Sequence, residues 1–161
     1  MQPIIMKNAL IAQYRGTLKM IDNTIDKCPD DLWTDAGYPS PYWQIVYHAL
    51  HYTAFYLSRN EENFLPWRDH HPGIHQLGKL SDQAPVYTKT DMKEFIDQIG
   101  LSLEKQVNEQ SLEEGCGFDW LSMTKFELHI YNLRHLQHHT GQLIERLHQV
   151  GISGIGWVRS A

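Results

Sequence analysis

The segment over residues 124–150 constrains the fold of this chain most, because it carries a stripe of side chains suited to burial on each of two opposite sides. At about 100° per residue, Leu128, Tyr131, His135, His139, Gln142 and Arg146 share one direction of a helix. Leu133, Leu136, Thr140, Ile144 and Leu147 lie roughly opposite. A helix resting on a surface needs one such stripe, whereas a helix with two must be enclosed by other elements. The His-bearing stripe is expected to face the interior, and the Leu stripe to meet, in part, a second copy of the chain. The capping box Thr124-Lys125-Phe126-Glu127 opens this helix, and Gly151 closes it.

Three more helices are expected to enclose it. Residues 4–27 place Ile5, Leu10, Ile11, Tyr14, Leu18, Ile21 and Ile25 at steps dominated by three and four, the period of an amphipathic helix. Cys28-Pro29 ends it, because a residue before proline is pushed out of the α region. A second helix over about 41–59 is apolar almost all round, so it is expected to be buried on more than one side. Ser40 reads as its N-cap, with Pro41 in the first helical position. Gln44, His48, His51, Tyr52 and Phe55 share one of its stripes. A third helix over about 91–109 opens at Asp91-Met92-Lys93-Glu94 and carries Phe95, Ile96, Ile99, Leu103 and Val107. The connection over 60–88, with Pro66, Pro72, Gly73, Gly78 and Pro85, has a length often associated with function. No strand alternation or internal repeat occurs. The pattern predicts an all-α single domain over residues 1–161, an up-down four-helix bundle with one long crossover loop.

Composition removes several classes of function. The formal charge is −5, from 19 acidic and 14 basic residues, with no block of five like charges. A nucleic-acid partner is therefore not expected, since a phosphate-binding surface needs clustered Lys and Arg. No stretch approaches the roughly 20 apolar residues that span a bilayer, and the first residues do not read as a signal peptide. A cytoplasmic protein with no membrane partner is expected. Cys28 and Cys116 are 88 residues apart, outside any CxxC context, and read as reduced thiols.

Histidine is the unusual component, at ten residues in 161. His135 and His139 are four apart, so a helix projects both from one face, the spacing at which two imidazoles can hold one transition-metal ion. A third ligand must come from another helix, and His48 is the obvious donor. Alone, His48 reads equally as a core imidazole bonded to a Tyr or to backbone. Two imidazoles on one buried face, however, cost desolvation twice unless they share a partner. Three such ligands suit Zn, Ni, Fe or Cu and leave a coordination position open, as in catalytic zinc sites. His51 lies about 60° round its helix from His48, and His138 about 100° from His139, so neither can serve the same ion equally. His70, His71 and His75 are expected to be solvated in the long loop. With imidazole pKa values near 6.5, metal binding would fall below about pH 6.

Trp43-Gln44-Ile45-Val46-Tyr47-His48-Ala49-Leu50 resembles the second-helix segment of the DinB/YfiT-like superfamily of metal-binding four-helix bundles. His135-x2-His138-His139-x-Gly141-Gln142-Leu143 is similar to that family's fourth-helix motif, and Gly156-Trp157-Val158 to its C-terminal tail. The resemblance implies a metal triad at His48, His135 and His139, a divalent ion such as Ni or Zn, and a homodimer. It also implies one of several activities on small molecules. The superfamily includes thiol-dependent transferases and isomerases as well as proteins called hydrolases. No Asp or Glu lies on the His135/His139 stripe, and Glu127 and Glu145 sit about 80° away. That absence favours chemistry on a low-molecular-weight thiol, with His51 or His138 as a catalytic proton shuttle. The rival is a non-catalytic, stress-related bundle that binds a metal or a partner. A pocket beside the ion would favour an enzyme, and a fourth protein ligand a structural role.

Overall fold

A computed structural model describes residues 3–78, 80–81 and 83–159. Its elements are α1 (Pro3–Lys27), α2 (Asp30–Trp33), α3 (Tyr42–Leu57), α4 (Lys89–Glu109) and α5 (Lys125–Gln149). Among the described residues the β pairing is one isolated antiparallel bridge, Gly115 to Thr124, so the architecture is all-α. No helix among these residues is long and apolar enough to cross a membrane. The single turn α2 was not expected within the linker. Asp30 and Asp31 occupy its first turn, where the helix dipole favours acids, and Leu32 and Trp33 are buried.

Helix α1 packs against α4 and α5, and α3 packs against the same two, so each long helix has two neighbours. One core runs between them, with Tyr14, Ile21 and Ile25 of α1 meeting Ile45, Leu50, Phe95, Leu103, Leu136 and Leu143. The i, i+3, i+4 pattern of α1 accounts for its buried face from Leu10 to Ile25. Ile5 continues that spacing but stands exposed.

This packing corrects the reading of α5. Leu136 and Leu147, assigned in part to a partner subunit, are completely buried in the core, together with Leu143, Asn132 and Thr140. The deepest line of the helix thus runs along the Leu136, Thr140 and Leu147 side of the Leu stripe and is widened by Asn132 and Leu143 towards the His-bearing one. A helix clasped by two neighbours buries a wide arc: His129 meets Tyr14 of α1, and His135 meets His48 of α3. Arg146 turns away from the histidines. It lies 4.1 Å from the Tyr38 ring centroid and donates to the Ser40 carbonyl at 2.8 Å, pinning the linker before α3.

Two caps also move. Pro41, not Ser40, occupies the N-cap of α3, and the Ser40 hydroxyl instead accepts from the Gly78 amide at 2.8 Å. Helix α4 is N-capped by Thr88, whose hydroxyl accepts from the Asp91 amide while Asp91 returns a carboxylate to the Thr88 amide. The box is therefore Thr88 to Asp91, three residues before the one expected. Thr124 and Glu127 form the second capping box at the expected place, and Gly151 adopts φ +81° just after α5. In the turn before α5, Gly117 has φ +86°, and a Cβ there would lie 2.3 Å from the Arg59 carbonyl oxygen. Only glycine fits that approach.

The long connection is anchored by aromatic burial. Trp67 stacks on Phe95 with centroids 5.1 Å apart, and the Tyr87 hydroxyl donates to the Asp69 carbonyl at 2.6 Å. Gln44, completely buried, donates to the carbonyls of Ile74 and Gln76. One turn further along α3, His48 meets the carbonyl of His75. Gln44 and His48 are four residues apart on one helix face, so two successive turns of α3 fix the loop's path across it.

Candidate metal centre

His48, His135 and His139 come together where α3 faces α5, with one ring nitrogen of each within 4.8 Å of the others. The ring centroids are 5.0, 4.6 and 4.6 Å apart, and the planes are splayed by 47°, 78° and 75°. His48 Nδ1–H donates to the His75 carbonyl at 2.6 Å, which leaves Nε2 as its lone-pair nitrogen. His139 Nδ1–H donates to Gln142 Oε1 at 3.0 Å with the same result. These bonds fix tautomer and ring orientation as the outer partners of metal-ligating histidines do. His48 Nε2 lies 3.1 Å from His135 Nε2. Two nitrogens held by one tetrahedral ion at ~2.0–2.1 Å are separated by about 3.3 Å, so the donor set fits a shared divalent ion. His135 Nδ1 is buried with no hydrogen-bond partner among the described residues.

Burial also prepares the imidazoles chemically. Desolvation pushes His48 down to about 4, against a smaller opposing effect of the His75 carbonyl. It pushes His135 down to about 3, reinforced by the neighbouring His139 and His48, and it lowers His139 as well. All three rings are thus neutral at pH 7, the form in which imidazole is a ligand.

The site opens on a cavity of about 580 Å³. His48, His135, His51 and His75 line it, together with the rings of Tyr52, Phe55, Tyr56, Trp120 and Tyr131 and the carboxylate of Glu61. A larger groove of about 760 Å³ lies between α1 and α4, but it is lined by no histidine and bears on no cluster of ligands. The chain matches no protein-family model, no curated protein and no solved structure.

The two residues expected to shuttle protons stand differently from that expectation. His138 is exposed, packs edge-on against His139 at 4.9 Å, and does not line the cavity. His51 does line it, but burial pushes its imidazole down to about 3, so it accepts a proton poorly at neutral pH. The expected lack of a carboxylate holds for the α5 stripe but not for the pocket. Glu61 enters from the segment after α3, and its Oε2 accepts from the Trp120 indole at 3.2 Å. Periodicity could not reveal Glu61, Trp120 or His75, because all three sit on irregular segments. His70 and His75, expected to be solvated, are half-buried and group with His51, whereas His71 is exposed. Three histidines within six residues beside Trp67 were the available signal. His129, the histidine that the clusters in sequence left aside, is completely buried, with Nδ1 3.2 Å from the Tyr14 hydroxyl.

Proposed function

We propose that this chain is a DinB/YfiT-like, up-down four-helix bundle that works as a metal-dependent enzyme on a small molecule, with His48, His135 and His139 holding one divalent ion, Ni or Zn. The observation that carries this reading is the grouping of three imidazoles, two of which, His48 and His135, stand in the wall of an open, largely aromatic cavity, with no fourth protein ligand in the group among the described residues. A divalent ion there supplies Lewis acidity, which lowers the pKa of a thiol or a water at the open position. The chain's own residues bind and orient the reactants. Phe55, Tyr56 and Trp120 offer apolar walls to an electrophile and exclude water from it. Burial raises the Tyr52 phenol above its usual range, so it stays protonated and able to donate a hydrogen bond beside His48 and His135.

Transfer of a low-molecular-weight thiol is the first reading, because a pocket walled by nine aromatic or imidazole side chains suits an apolar acceptor. Hydrolysis is the second, favoured by Glu61 as the one carboxylate in the cavity lining. The test is to load the protein with Ni²⁺ or Zn²⁺, supply small thiols with several electrophiles, and follow thiol consumption alongside ester hydrolysis. Turnover is expected with the metal-loaded chain and is expected to be lost in His135→Ala. Rates no higher than those of the free ion in both assays would instead favour the non-catalytic metal-binding bundle.

We further propose that the chain acts in the cytoplasm as a homodimer. The partner would cover Ile130 and Trp157, two large apolar side chains left exposed near the tail. Light scattering should then give about twice 18.8 kDa, and a monomer at micromolar concentration would remove the dimer from the proposal.

A further inference from the structure

We propose that His51, His70 and His75 form a second metal site, for a late first-row divalent ion such as Zn²⁺, beside the triad. One ring nitrogen of each lies within 4.8 Å of the others. His51 comes from α3, while His70 and His75 flank the turn at Pro72-Gly73, where Gly73 has φ +84°. His70 Nδ1 is 2.6 Å from the Tyr47 hydroxyl; with Nδ1–H donating, Nε2 is left as the lone-pair nitrogen. Nδ1 of His51 and Nδ1 of His75 are buried with no hydrogen-bond partner among the described residues. Buried polar nitrogens are nearly always satisfied, so two orphans in one group of three call for a shared partner that the protein does not supply. An all-imidazole donor set within a shell of Tyr47, Phe55 and Phe64 suits Zn, Cu or Ni, whereas Mg and Ca require oxygen ligands.

The two clusters differ in readiness. Ring planes in the second are only 16°, 25° and 39° apart, a stacked arrangement, against 47° to 78° in the triad. Ligands of one ion splay, so this site needs a ring to turn about χ2, a broad torsion for histidine. The second ion is therefore the weaker one. His75 links the sites, since its carbonyl holds His48 while its ring belongs to the second group. The second ion would stand at the wall of the same cavity, and its binding does not require the triad to be catalytic.

The experiment is equilibrium dialysis of the metal-free chain against Zn²⁺. Wild type is expected to take up two ions, the second at least about tenfold more weakly. His70→Ala should bind one, His135→Ala one, and the double variant none. Tyr47→Phe keeps the ring but removes the hydroxyl that orients His70, and should weaken the second ion alone by ~10 to 100-fold. Circular dichroism checks folding, and Tyr47→Phe decides the matter if His70→Ala does not fold. A single ion in wild type that His70→Ala keeps and His135→Ala loses, or two bound with unchanged affinity in both His70→Ala and Tyr47→Phe, would overturn the proposal. The three rings would then be a packed stack of neutral imidazoles. Failure of the triad reads differently, as unaltered uptake in His135→Ala.

Discussion

His135→Ala is expected to lower divalent-metal affinity at the triad by more than about a hundredfold while the chain stays folded. It removes the nitrogen that lies 3.1 Å from His48 Nε2, and two imidazoles cannot replace three. The control is Gln142→Ala, which removes only the acceptor that orients His139 and should cost ~10 to 100-fold. His51→Ala should leave the triad's ion in place, because His51 belongs to the other group. Calorimetric titration with Ni²⁺ or Zn²⁺ checks the series, and equal affinity in His135→Ala and wild type would remove that residue from the site. Proton competition is weaker than a histidine of ordinary pKa implies. With His48 down to about 4 and His135 to about 3, protons displace the ion only well below pH 6.

Acid is expected to destabilise the metal-free chain steeply between pH 6.5 and 4. His129 is completely buried, and desolvation pushes it down to about 4, with the Lys125 and Lys7 charges acting in the same direction. In the unfolded chain its pKa is near 6.5. Between those values the unfolded state binds a proton that the native state excludes, so stability is fully present above pH 6.5 and is lost as pH falls towards 4. For His129 alone the loss is on the order of 3 kcal/mol. His48, His51 and His135 share the sign, although their neighbours couple them and the contributions do not add. Urea unfolding at pH 7.5 and pH 4.5 measures the effect, and His129→Phe should reduce the proton uptake on unfolding by about one. A midpoint independent of pH over that range would mean the imidazoles are solvated.

What the sequence determined by itself is what is encoded locally. Apolar spacing in α1, Pro29 after Lys27, the Thr124 to Glu127 box and Gly151 act within a turn or two of chain, and all four stand where a 3.6-residue period or a cap geometry puts them. The His135/His139 pair was legible for the same reason, since i, i+4 on a helix is a fixed distance. Tertiary structure decided the rest. The buried arc of α5 is set by its two neighbours, which is why Leu136 and Leu147 lie in the core instead of at an outer face. The path of the long loop depends on Gln44, Trp67 and Tyr87 gripping backbone or rings at sequence separations of 18 to 32 residues. Only that path carries His70 and His75 to His51 and the His75 carbonyl to His48. A segment without periodicity holds no record of which side chain it will meet, because its direction is set by the surfaces that bury it.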